Sequence, residues 1–145
     1  MSQYAALPWR QTAEGRTEVL LISSRETRRW IIPKGWPMKK LHAADCAARE
    51  AFEEAGVEGD VRRKKVGVFH YDKSLSNGRL QPVRVSVFAL QVSRECVDFP
   101  EKGQRDRLWT TPFEASVLVD EPELKALFLG FMRFQLPLPE DLSRH

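Results

Sequence analysis

Residues 35–57 read GWPMKKLHAADCAAREAFEEAGV, and the reading of this segment decides the fold. Ala44, Ala48, Ala51 and Ala55 recur at helical spacing, forming a stripe of small side chains that lets a helix lie close to a sheet. Gly56 then supplies a C-terminal stop. Off that stripe, Glu50, Glu53 and Glu54 stand at i, i+3 and i+4 and share one helical face. Like charges so placed repel by roughly 0.2–0.5 kcal/mol per pair on an isolated helix, so a cluster of carboxylates calls for an opposing charge. A hard divalent cation, Mg²⁺ or Mn²⁺, would supply it, because such ions take oxygen ligands from a few carboxylates, phosphates and water. The plainer alternative is a solvated acidic face with Arg49 paired to Glu53 one turn on.

The elements around this helix are strands. QYAALPWRQ leads through the turn signal Glu14-Gly15 into TEVLLISS, whose apolar run from Val19 to Ile22 suits a buried strand, so a hairpin is expected. Trp30-Ile31-Ile32 reads as a further short strand stopped by Pro33, Gly35 and Pro37. Beyond the helix, VRRKKVGVFHY and LQPVRVSVFALQV flank the Asn77-Gly78 turn signal and predict a second hairpin. DRLWT is another candidate strand, followed by Thr111-Pro112-Phe113-Glu114, a capping box with proline in the first helical position. Asp120 and Glu123 repeat the capping pattern before Leu124, Leu127, Phe128 and Phe131, a face that packs on the core or on another subunit. Strands interspersed with three helices indicate a layered α/β or α+β fold.

Composition sets the frame. With 145 residues, 42% hydrophobic and 30% charged, the chain is expected to form one domain spanning 1–145. A net charge of +3 and a pI near 9.0 favour anionic partners. Cys46 and Cys96 are too few for a disulfide framework and lack metal-ligand spacing, so they read as reduced thiols. No apolar run reaches the length of a membrane span and MSQYAALPWR lacks a signal-peptide core, which points to the cytoplasm.

With Gly35 setting the register, the segment resembles the Nudix box: a glycine, five residues, a glutamate, seven residues, then Arg-Glu-apolar-x-Glu-Glu-x-Gly-apolar. Arg49, Glu50, Ala51, Glu53, Glu54, Gly56 and Val57 all fall in place. Leu41 departs, occupying the position of the first glutamate, and it is expected to fill an apolar contact at the helix entry instead. The resemblance implies an α/β/α sandwich with a mixed sheet, a loop-helix-loop metal site and metal-dependent hydrolysis of phosphoanhydrides. It assigns Glu50, Glu53, Glu54 and the Gly35 carbonyl to Mg²⁺ or Mn²⁺, and gives Arg49 the task of orienting a carboxylate. Glu54 is the choice for general base. Glu95 and Glu101, in the loop RECVDFPEKGQ, stand as alternatives beside the plainer reading of solvated loop charges.

Basic residues suggest the substrate. Lys34 adjoins the metal loop, Lys39 and Lys40 follow, and Arg10, Arg25, Arg28, Arg29, Arg84, Arg105 and Arg107 lie elsewhere. The basic pair before an aromatic in QRDRLWTTPFEA, with PKG before the box, resembles the diphosphoinositol polyphosphate and diadenosine polyphosphate branch of the family. Lys34 and Arg107, with Arg105 and Arg10, are therefore the candidate substrate contacts, although any one could be ordinary solvated surface. The expected partner is a phosphorylated small molecule rather than a nucleic acid or a membrane, with self-association left open. Alternatives are an ADP-ribose or nucleoside triphosphate pyrophosphatase, and a non-catalytic Nudix-fold module binding a nucleotide or RNA. Trp36 could flank a base or an inositol ring, Trp109 reads as core, and His70 as a strand or turn residue.

Overall fold

Alternating side chains along the long strands build one core on each face of a single sheet. In the computed structural model, which describes residues 1–135, the first hairpin joins β1 (Ser2–Gln11) to β2 (Thr17–Ser23). Two short strands follow, β3 (Trp30–Ile31) and β4 (Lys34–Gly35), then α1 (Ala43–Glu50), which runs on into a π-helical turn, Ala51–Ala55. β5 (Val57–Val61) leads to the second hairpin, β6 (Gly67–Ser74) and β7 (Leu80–Glu95), and β8 (Arg107–Thr110), α2 (Pro112–Leu118) and α3 (Pro122–Gln135) complete the described chain. The sheet is mixed. Its strands are ordered β3-β2-β1-β7-β5, with β4 added to β1, β6 to β7 and β8 to β2. β1 and β7 run parallel in a register from Ser2 opposite Arg84 to Trp9 opposite Gln91.

Ala5, Leu7, Val19, Leu21, Val85 and Val87 pack with Leu124, Phe128 and Phe131 of α3, while Ala6, Leu20, Ile22, Phe88 and Leu90 pack under the alanines of α1. Fully burying each large side chain stabilises by roughly 1.5–3 kcal/mol, so both helical layers are held by the period-two pattern of the strands. The outcome is the α/β/α sandwich. The buried alanines of the helix are Ala44, Ala47, Ala51 and Ala55, so Ala47 replaces the expected Ala48, which lies at the margin.

Local chemistry sets the element ends. Thr111 caps α2, its hydroxyl accepting from the Glu114 N–H at 3.1 Å, with Pro112 in the first turn as expected. The second capping box does not form. α3 begins at Pro122, Asp120 pairs with Arg29 at 2.8 Å, and the Glu123 carboxylate instead accepts the His70 N–H at 2.9 Å. β4 was not anticipated, because Pro33 looked like a stop; its carbonyl accepts from Ala6 N–H at 3.0 Å and carries the chain into a new pairing with β1. Among the described residues, no helix is long and apolar enough to cross a membrane.

Gly56 ends the box helix at φ 69°, and a Cβ there would overlap the Phe99 ring. Gly56→Ala should cost roughly 1–2 kcal/mol from the left-handed backbone alone, and more from the displaced ring. Urea unfolding measures this, and an unchanged midpoint would contradict it.

Candidate active site

The π-helical turn is where the box helix presents its carboxylates. The Gly56 N–H reaches back to the Ala51 carbonyl as well as to that of Phe52, giving the wider turn that is frequent at functional sites. Glu50 and Glu54 are buried, only 9% and 8% exposed, whereas Glu53 turns outward toward Arg49 at 3.8 Å. The three carboxylates thus divide into an enclosed pair and one at the rim.

β4 covers the pair. A Cβ on Gly35 would overlap the Glu50 carboxyl, so glycine is what permits the strand to lie there. The Lys34 backbone N–H donates to Glu54 Oε1 at 3.3 Å. Burial, the hydrogen bond shared with Glu54, and the charges of Glu54, Glu53 and Glu101 together push the Glu50 pKa up from 4.5 to about 8. Burial also raises Glu54, against the opposing charge of Arg105.

The loop between β7 and β8 closes the other side. Cys96 N–H donates to the Gly56 carbonyl at 2.7 Å, Glu101 N–H to that of Glu53 at 2.9 Å, and Arg107 Nε to that of Ala55 at 2.8 Å. These contacts satisfy carbonyls that a helix end leaves without intrahelical partners. They also deliver Arg105 into the site. Its side chain is 8% exposed, donates to Glu101 at 3.1 Å and to the Ser23 carbonyl at 3.1 Å, and stands 3.7 Å from Glu54 Oε2.

A cleft of about 470 Å³ opens over these groups. Gly35, Glu50, Glu53 and Glu54 line it beside Lys34, Arg105, Glu101 and Trp36. Burial lowers the Lys34 pKa from 10.5, and its ammonium sits 4.9 Å from the Tyr71 ring centroid. Arg25, Arg29 and Lys73 also border the cleft, as do Gln3, Tyr71 and Glu121, three residues that carried no signal in the sequence because only the tertiary fold brings them there.

Arg10 and Arg107 are not brought to the cleft. Glu95 accepts from Arg10 at 3.2 Å, Arg107 at 2.8 Å and Trp109 at 3.0 Å, and Arg10 stacks 3.9 Å over the Trp109 ring. Burial would raise the Glu95 pKa, but the hydrogen bonds of Arg107 and Trp109 and the charges of Arg107 and Arg10 outweigh it and lower it. Both arginines and Glu95 thus belong to a structural ion cluster away from the site. Trp109 packs in the core as expected, and His70 sits exposed against Glu123.

Two buried carboxyls with raised pKa values are hard oxygen donors, balanced only in part by Arg105 and Lys34 at Glu54, which fits a divalent metal. Among the described residues, no three His, Cys, Asp or Glu side chains form a ready-made cation cage. A buried carboxyl pair with one carboxylate at the rim suits an ion that keeps water and substrate oxygens in its shell.

The NUDIX domain profile matches residues 3–128. The chain belongs to the Nudix family. It is 35% identical over 121 residues to Nudix hydrolase 12, mitochondrial, of Arabidopsis thaliana, covering 81% of this chain and 60% of that protein. It is also 35% identical over 100 residues to diphosphoinositol polyphosphate phosphohydrolase 3-alpha of Mus musculus, covering 67% and 57% respectively. The chain thus spans about three fifths of the length of these curated relatives. A Nitrosomonas europaea NUDIX hydrolase shares the fold at a TM-score of 0.69 and 16% identity, covering 96% of this chain and 93% of that one. The C. elegans Ap4A hydrolase shares it at 0.66 and 19% identity, covering 93% and 98%. Nudix hydrolases generally use divalent metals, in keeping with the carboxyl pair.

Leu41 corrects one expectation. In this Nudix box it is not buried at the helix entry but 42% exposed, its backbone N–H donating to the Met38 carbonyl at 3.3 Å. The α1 entry is instead fixed by His42, whose Nδ1 accepts from the Ala44 N–H at 3.0 Å. Leu41→Glu should therefore leave stability within about 0.5 kcal/mol of wild type; a larger loss in a denaturant titration would show that the side chain packs.

The raised Glu50 pKa predicts a pH dependence of the Nudix fold itself. Because the folded carboxyl titrates near 8 and the unfolded one near 4.5, the folded state holds more protons between those values. Its contribution to stability is fully present below 4.5 and is lost as pH rises through 8. In chelator, the thermal midpoint should fall across that window, and Glu50→Gln should flatten the slope. A midpoint with the same slope in wild type and variant would refute this assignment.

Proposed function

We propose that the chain is a Mg²⁺- or Mn²⁺-dependent hydrolase of phosphoanhydride bonds in a highly phosphorylated small molecule of diphosphoinositol polyphosphate or dinucleoside polyphosphate type. The observation that carries this reading is the buried Glu50–Glu54 pair opening on a cleft that also receives Lys34 and Arg105. The mouse relative named a diphosphoinositol polyphosphate phosphohydrolase supports the substrate class. The match over residues 3–128 supports reading the chain as one Nudix domain.

In this proposal Glu50, Glu53 and Glu54, with the Gly35 carbonyl, hold the cation. Bound there, it neutralises charge on the phosphoanhydride oxygens and helps to orient the attacking water. Glu54 takes the proton from that water. Glu101 is less suited to the task, since Arg105 at 3.0 Å and Arg25 at 3.7 Å occupy its carboxylate. Arg49, ion-paired to Glu53, orients the rim carboxylate. Lys34 and Arg105 meet the phosphates, and Arg25, Arg29 and Lys73 extend the basic surface along the cleft. Arg10 and Arg107 drop out of the substrate contacts. Two free thiols, Cys46 and Cys96, support a cytoplasmic location, although several plant relatives carry "mitochondrial" in their names.

The test is a substrate panel, with phosphate release measured in Mg²⁺ and in Mn²⁺. Diphosphoinositol and dinucleoside polyphosphates should be cleaved in preference to ADP-ribose and nucleoside triphosphates. Glu54→Gln should lower turnover on the order of 10²-fold or more, the scale of general-base catalysis, with the fold intact. A folded Glu54→Gln protein of undiminished turnover would remove Glu54 from the mechanism, and a preference for ADP-ribose would transfer the assignment to the pyrophosphatase alternative.

A further inference from the structure

Glu121 is the residue before α3, and its backbone carbonyl accepts the Lys125 N–H at 3.0 Å, as a helix start requires. Its side chain does something else. It lines the cleft, and its Oε1 is buried yet has no hydrogen-bond partner among the described residues. A buried acceptor left unpaired is costly and calls for a donor that arrives from outside the chain. Glu121 lines the same cleft as Lys34 and Tyr71, and its charge is felt at both.

The surroundings narrow the donor. Within a largely polar cleft, half-buried Ile31 and the rings of Trp36 and Tyr71 supply the apolar and flat surface. Such surface matches the face of a planar ring better than a cyclitol hung with phosphates. Acidic side chains also outnumber basic ones along the cleft, and a ring phosphorylated on all sides would set another anion against the unpaired carboxylate.

We propose that Glu121 selects the non-phosphate moiety of the substrate, accepting a hydrogen bond from an uncharged N–H or O–H of a nucleoside and disfavouring a fully phosphorylated ring. The inference rests on the hydrolase reading above and chooses between the substrate types it allows. The donor is either the exocyclic amino group of a purine or a ribose hydroxyl.

The experiment compares wild type, Glu121→Ala and Glu121→Gln on diadenosine tetraphosphate, its inosine and 2′-deoxy analogues, and a diphosphoinositol polyphosphate. Calorimetric binding of AMP without metal and thermal midpoints are measured alongside. Glu121→Ala should lower kcat/KM on diadenosine tetraphosphate roughly 10- to 100-fold, the scale of a lost hydrogen bond to a charged group, chiefly through KM. It should leave diphosphoinositol cleavage equal or faster and weaken AMP binding in parallel, with Glu121→Gln intermediate. In wild type, selective loss on the inosine analogue identifies the amino group as donor, and selective loss on the deoxy analogue identifies the hydroxyl. Equal losses on nucleoside and inositol substrates, or none on the nucleoside, would overturn the proposal and leave Glu121 a partner in the charge balance of Lys34. If wild type cleaves none of these compounds, the hydrolase reading fails by itself, and AMP binding unaffected by Glu121→Ala then overturns the role of Glu121 independently.

Discussion

The cleft depends on the close approach of Gly35 to the Glu50 carboxyl. A side chain at position 35 would displace it, so glycine is what lets the strand lie against the carboxyl in this arrangement. On its other edge that strand is tied to β1, with Gly35 opposite Tyr4 and Lys34 opposite Ala5. Across the helix, fully buried alanines let it lie close on the sheet. Between these two contacts the helix has little freedom to roll, and Glu50 and Glu54 are held out of water. Removing carboxylates from water costs several kcal/mol per ion unless an opposite charge returns it. Arg105 meets that cost in part at Glu54, whereas the charged groups that act on Glu50 are all acidic.

Arg105 and Arg107 show how the same constraint assigns different work to similar residues. They are two apart in the chain, and both reach the C-terminal end of the box helix. Arg107, at the start of β8, donates to the Ala55 carbonyl and to Glu95, completing a helix end and an ion cluster at its back. Arg105 lies before the strand and is folded inward between Ser23, Glu101 and Glu54. Being so enclosed, its guanidinium opposes the burial that raises the Glu54 pKa. The loop that carries it is thus part of the electrostatics of the site as well as its wall.

What could be read from the sequence follows from how far each feature reaches along the chain. The two hairpins, the Thr111 cap and the register from Gly35 to Gly56 are local, set by turn residues, caps and helical spacing, and they stand in the structure where the sequence places them. Arg10 is harder to place, because its partner lies far off: Glu95 is 85 residues away, and no spacing rule foretells that pairing. Leu41 misled for another reason. Its apolar character suggested burial, but an isolated leucine in a loop is often solvated, and His42 had already fixed the helix entry through its own ring.

The same division separates the chemistry of the site from its selectivity. One helix and its preceding loop contain the carboxylates proposed to hold the cation, so the type of reaction is legible within about two dozen consecutive residues. The facing wall is assembled from β1, β6 and the residue before α3. Tyr71 donates to Gln3 across 68 positions at 2.7 Å, and Glu121 comes from a further segment of the chain. Parallel pairing of β1 with β7 and antiparallel pairing of β7 with β6 bring Gln3 and Tyr71 together, while the packing of α3 on that face brings Glu121. With Glu121 selecting the substrate as proposed, selectivity is a property of sheet order, and substitutions that change which substrate is taken are expected outside the segment that identifies the family.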